Sequence, residues 1–138
     1  MPNGSSEYSI YAYAPAQVAA IVENIGVTKA SLPVAKTFVL AVLAGAFIAF
    51  GGMFYTVAVT ETGLSFGPTR LIVGMVFSLG LVPVVVAGSE LFTGNNLIVM
   101  AWASRRIGMG RLLRNCGLVY LGNLVGAVVT AILVHGSG

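Results

Sequence analysis

Charge is what this chain has least of. Asp, Glu, Lys and Arg together make up 8% of its 138 residues, against roughly a quarter in an ordinary soluble domain. So few charges exclude a conventional water-soluble globule. The complementary excess, 57% hydrophobic residues and a mean hydropathy of +0.96, places the chain in a bilayer. Cysteine is almost missing too: Cys116 stands alone, which excludes an intrachain disulfide and a cysteine-based metal cluster. Cys116 itself reads as a small apolar side chain of the last span. No short apolar run is followed closely by a small-residue cleavage pattern, so the first hydrophobic segment is expected to remain as a membrane helix. Gly88-Ser89-Glu90 lacks the Gly-x-Ser-x-Gly turn of a nucleophilic serine, and Gly108 with Gly110 is only a weak glycine pair. Nothing asks for a metal, nucleotide or other cofactor.

Two stretches carry no Lys, Arg, Asp or Glu, Thr37 to Thr60 and Asn115 to the end, where the single histidine, His135, lies, and a third, Leu71 to Ser104, carries only Glu90. Each supplies the roughly 20 residues of a helical span. The expected fold is therefore all-α and transmembrane, with spans near 37–60, 71–104 and 113–135 in a membrane domain covering 29–138. The net charge of +3 reports topology and not nucleic acid. Arg105, Arg106, Arg111 and Arg114 crowd one short loop, Lys29 and Lys36 precede the first span, and the loop from Glu61 to Pro68 has no basic residue. By the positive-inside bias, the N-terminus and the arginine loop face the cytoplasm of a cell whose inner membrane holds the protein.

Residues 1–28 read as a tail followed by an interfacial helix. Met1 to Ala14 is polar and aromatic and is expected to be loosely ordered. From Pro15 onward, Val18, Ile21, Val22 and Ile25 share one helical face, and Gly26 is expected to end the helix. Within the spans, Ala41, Gly45 and Ala49, then Gly51 and Gly52, and later Gly122 and Gly126, provide small residues that let membrane helices approach closely.

The middle span is too long. The 34 residues between Arg70 and Arg105 would make a helix of roughly 51 Å, well beyond a hydrocarbon core of roughly 30 Å. Near its centre lies Gly88-Ser89-Glu90-Leu91-Phe92-Thr93-Gly94-Asn95-Asn96. A break at 87–96 is expected, with Gly88 ending an outer half. Thr93, Asn95 or Asn96 would cap an inner half from about Leu97 to Ser104, and Pro83 would bend the outer half. Broken backbone and an acid are tolerated at this depth only where protein or a watery cavity surrounds them, which makes the break the best candidate for a solute path. The inner half-helix would turn its positive end toward the membrane interior and favour a small anion. Glu90 would repel that anion unless it is protonated or paired, and no cation partner is evident in the chain. It is expected to hold the loop. Thr93, an uncharged donor, is the first choice for solute contact.

Ala87-Gly88-Ser89-Glu90-Leu91-Phe92-Thr93-Gly94-Asn95 resembles the signature loop of the formate/nitrite transporter (FNT) family. Lys36-Thr37-Phe38 with Leu43-Ala44-Gly45-Ala46 resembles the start of that family's first membrane helix. Asn115 and Tyr120-Leu121-Gly122-Asn123-Leu124-Val125-Gly126 resemble its third, so the likeness runs from about Pro15 to the end. The resemblance implies one three-helix repeat of an aquaporin-like, six-helix inverted-repeat channel, assembled as a homopentamer and passing formate, nitrite or hydrosulfide. By the same resemblance, Phe77 and Leu81 form an outer apolar constriction, Leu91 and Phe92 an inner slit, and Thr93 the loop hydroxyl. Glu90, Gly88, Gly94, Asn95 and Asn96 support the loop.

The family's second repeat, with its histidine and lysine, has no counterpart here. His135 does not match the pore histidine, and an inverted second copy would violate the positive-inside bias, so a partial chain is expected. A neutral-solute channel and a non-transporting anchor subunit are the alternatives, the first lacking the proline that should follow its asparagine. If the chain is partial, these 138 residues alone should give far less anion uptake in proteoliposomes than a full-length relative. Equal uptake would overturn that reading.

Overall fold

The computed structural model describes residues 13–60 and 62–137. Among them, six helices follow one another: α1 (Pro15–Ala30), α2 (Val34–Val59), α3 (Phe66–Val86), α4 (Phe92–Asn95), α5 (Ile98–Ala103) and α6 (Met109–Gly136). Three of these, α2, α3 and α6, are long and apolar enough to cross a membrane. The expected tail at Met1 to Ala14 lies mostly outside the described residues.

The central helix is α2, which packs on α6 along one side and on α3 along the other. Small residues set both distances. A Cβ added at Gly126 would collide with the Val42 carbonyl and approach the Ala46 nitrogen to 2.9 Å, and one at Gly122 would collide with Ala41. On the other side, Gly51 and Gly80 face each other, a Cβ on Gly80 falling 2.7 Å from the Gly51 Cα. Without a strong hydrophobic drive between helices in lipid, such close backbone approach is what van der Waals packing can use. Gly52 has nothing within 4 Å of its would-be Cβ, so its role in packing differs from that of Gly51. The outward faces remain apolar, with Val39, Met75, Leu79, Leu121 and Ile132 all more than half exposed, as a lipid-facing surface requires.

Several element ends differ from expectation. Pro33, at φ −58°, stands immediately before α2, so the helix starts at Val34 and takes Lys36 into its first turn. The third helix starts at Phe66, which brings Arg70 inside it. There the guanidinium donates to the Tyr55 hydroxyl (2.9 Å) and stacks 5.0 Å from the centre of the Phe66 ring. Gly26 does not end α1. It lies inside the helix where α5 comes close, its would-be Cβ 3.1 Å from that of Ala101, and α1 continues to Ala30 ahead of Ser31. The stripe of Val18, Ile21 and Ile25 stays 40–49% exposed; Gly26 and Ala30 are the residues buried. Arg114 closes the end of α1 by donating to the Ala30 carbonyl (2.9 Å).

These approaches predict a contrast between two glycines. In the full-length protein, Gly126→Ala should lower stability by about 1–3 kcal/mol through overpacking, while Gly52→Ala should be nearly neutral. Thermal unfolding in one detergent checks both, and equal effects would contradict the packing described.

Candidate solute-pathway site

The break begins with a left-handed turn. Gly88 has φ +61°, a conformation glycine adopts without steric cost. The amides of Gly88 and Ser89 return to the carbonyls of Val85 (3.2 Å) and Val84 (3.0 Å), which satisfies the last turn of α3. The chain is then non-helical until Leu91, and α4 begins at Phe92.

One amide from α6 holds both sides of the gap. The Asn123 side chain donates to the carbonyls of Ala41 (2.8 Å) and Glu90 (2.9 Å), and its oxygen accepts from the Phe92 N–H (2.9 Å). The Glu90 amide donates to the Leu40 carbonyl at 3.2 Å. Severed backbone groups that lipid could not satisfy thus find partners on α2 and α6.

The acid has a cation after all. Glu90 is 2% exposed, and its Oε1 lies 2.9 Å from Lys29 Nζ. Lys29 also donates to Asn95 Oδ1 (3.0 Å). The Asn95 amide nitrogen donates to Glu90 Oε2 and to Asn115 Oδ1 (2.8 Å), and the Asn115 nitrogen donates to the Lys29 carbonyl (3.3 Å). The expectation that Glu90 lacks a partner in the chain is therefore corrected. Lys29 lies 61 residues earlier, and it reaches the loop because Gly26 and Ala30 seat α1 against the neighbourhood of α5. A residue that local reading counts only toward topology supplies the counter-charge.

The inner half is also corrected. It begins at Phe92, five residues before Leu97, and is split by a turn at Asn96 and Leu97 into two short helices. Asn95 does not cap; its side chain is taken by Glu90, Lys29 and Asn115. Asn96 is exposed in the turn, and Leu91 stands at the N-cap of α4 without a side-chain cap. Two fragments of four and six residues do not sum to the macrodipole of one aligned half-helix. What remains is local. Thr93 and Gly94 are exposed, and neither amide has an acceptor among the described residues.

Of the expected pathway residues, Leu91 and Phe92 are half-buried, with the Phe92 ring edge-on to Tyr120 at 5.6 Å. Phe77 and Leu81 lie one turn apart on α3, 40% and 44% exposed. Phe77 lines a cleft of about 540 Å³ with Tyr55 and Arg70. Gly88 and Glu90 line another of about 530 Å³ with Lys29 and Lys36, and Gly94 borders a smaller one between α1 and α5. The first two clefts share no lining residue, so among the described residues Phe77 and Glu90 border different cavities. Sequence reasoning missed Lys29, Asn115 and Asn123 as loop holders. The two asparagines carried a usable signal, since each is an amide in an otherwise apolar span. Ser89, 6% exposed, keeps a buried hydroxyl without a partner among the described residues.

Glu90 is buried while Lys29 is about a quarter exposed, so removing Lys29 strands a buried carboxylate without its counter-charge. Lys29→Met in the full-length protein should therefore cost about 3 kcal/mol, and adding Glu90→Gln should recover part of that loss. Chemical unfolding of the four proteins in a double-mutant cycle checks this, and strictly additive losses would refute the coupling.

Residues 16–138 match the family described as Formate/nitrite transporter. The chain is 48% identical over 125 residues to the formate channel FocA of Escherichia coli strain K12, covering 90% of this chain and 44% of that protein. It is 40% identical over 121 residues to the probable formate transporter of Methanothermobacter thermautotrophicus, covering 85% and 44%. A solved FNT family ion channel superposes with a TM-score of 0.68 at 30% identity, covering 89% of this chain and 49% of that one. The chain spans less than half the length of these relatives, which are channels and transporters. Its all-α fold with three spanning helices is that of a multi-pass membrane protein, and the chain belongs to the formate/nitrite transporter family.

Proposed function

We propose that the full-length protein passes small monovalent anions across the membrane, formate first. The observation that carries this reading is how the break is held. Glu90, Asn95, Asn115 and Asn123 are all engaged within the chain, whereas Thr93 and Gly94 keep exposed donors. With the Glu90 charge balanced by Lys29, the loop offers donors and no free carboxylate, a pattern suited to an anion. The relative named a formate channel supports formate as first cargo; the family's own description supports nitrite as second, and hydrosulfide is a further candidate.

In this reading Thr93 contacts the solute from the loop. Phe77 with Leu81 on the outer side, and Leu91 with Phe92 on the inner side, exclude hydrated ions, so the anion crosses them with a proton or with its charge otherwise compensated. Gly88, Gly94, Asn95 and Asn96 support the loop. The complete molecule is a homopentamer in the inner membrane, its N-terminus and arginine loop on the cytoplasmic side. These assignments rest on the resemblance of the loop and on the distribution of Lys and Arg.

Labelled-formate uptake into proteoliposomes tests the reading. Losing a hydrogen bond to a charged group should make Thr93→Val roughly tenfold or more slower, with Thr93→Ser close to wild type. Undiminished formate flux in the valine variant would remove Thr93 from the path. Nitrite flux without formate flux in the unmodified protein would reverse the order of cargoes.

A further inference from the structure

Six of the seven Lys and Arg residues gather at the end of the bundle where α1 meets the turn between α5 and α6. Two of them are engaged: Lys29 by Glu90, and Arg114 by the carbonyls of Ala30 and Leu32. Three others line one cleft. Arg105, Arg106 and Arg111 border a space of about 600 Å³ together with Trp102, Gly108 and Gly110, and no acidic residue lines it. Among the described residues, the Arg105 and Arg111 side chains have no hydrogen bond or ion pair. The carboxylate nearest Arg106 is that of Glu23 at 3.8 Å, and its other oxygen already accepts from the Ser104 hydroxyl at 2.6 Å.

The backbone adds a second oddity. Arg105 has φ +56°, the only positive φ among described residues other than glycine. Its amide and that of Arg106 close the end of α5 on the carbonyls of Trp102 (2.8 Å) and Ala101 (2.9 Å). Glycine is the unstrained residue for this position, so the arginine is held in a conformation that a side chain ordinarily avoids, and it is aimed at a cleft where two more guanidiniums already repel it. An anion bound there offsets that repulsion. The cleft lies just before the apolar run of α6, and Trp102, 38% exposed, is the side chain that favours the level of lipid headgroups.

We infer that this cleft binds a phosphate group, supplied by the headgroup of an anionic phospholipid. Guanidinium forks match phosphate oxygens two at a time, and the space accommodates the glycerol of a headgroup beside Trp102. Substrate passage at the break plays no part in this inference.

The full-length protein, purified and reconstituted in phosphatidylcholine with or without phosphatidylglycerol, tests it by native mass spectrometry of retained lipid and by thermal unfolding. Phosphatidylglycerol should be retained in preference to phosphatidylcholine and raise the unfolding temperature. In the double variant Arg105→Gln, Arg111→Gln, its affinity should fall roughly tenfold or more. Arg105→Lys with Arg111→Lys keeps the charge and hence the insertion bias, and should lose several-fold through loss of the two-pronged grip. Unchanged phosphatidylglycerol retention in both variants overturns the site. An equal thermal shift from inorganic phosphate in phosphatidylcholine alone overturns the lipid as its source.

Discussion

A helix interrupted inside an apolar layer leaves donors, acceptors and here a carboxylate that lipid cannot satisfy. Much of this structure is an answer to that constraint. The outer stump is closed by the turn at Gly88, the gap is bridged by Asn123, and the Glu90 charge is met by Lys29 at 2.9 Å. The last of these gives α1 a structural part in the break. Its Lys29 is held by the loop through Glu90 and Asn95, and by α6 through the backbone bond from Asn115. Displacing α1 would therefore expose a carboxylate that is otherwise almost fully covered.

Helix packing and loop support meet in one residue. Asn123 offers its side chain to the break, while its backbone lies so close to α2 that a Cβ on Gly45 would fall 2.8 Å from the Asn123 Cα and collide with its carbonyl. A larger residue at position 45 would thus push Asn123 outward and draw its amide from the carbonyls of Ala41 and Glu90. The small residues along α2 and α6 set an interhelical distance, and that distance decides whether three hydrogen bonds at the gap can form.

The parts of this arrangement that are local in the chain were legible in it. An overlong apolar run announced a break, Gly88 marked where the outer half stops, and the charge-poor stretches located the spans. The parts that depend on distant partners were not. Asn95 has the chemistry of a helix cap, and only the neighbourhood of Glu90, Lys29 and Asn115 shows that its side chain is used elsewhere. Gly26 looked like a stop because glycine ends many helices. The near approach of Ala101, which makes glycine suitable inside α1, is separated from it by most of the chain. Lys29 was visible as a charge, but its partner is set by the docking of α1, and the small residues Gly26 and Ala30 that permit the docking do not say what α1 packs against.

An ion pair between a buried carboxylate and a lysine still about a quarter exposed gains little net stability, because desolvation, chiefly of Glu90, offsets much of the attraction, and apolar replacements of similar volume are often as stable. At this break the replacement has a further cost. Glu90 Oε2 and Lys29 Nζ take up both a donor and the acceptor of the Asn95 amide, so an apolar pair would leave a fully buried amide partly unsatisfied. Asn95 in turn holds Asn115 on α6. The pair is therefore tied to its place by the amides around it: its attraction fixes the start of α4 between α1 and α6, and that position is what leaves Thr93 exposed with its donors free.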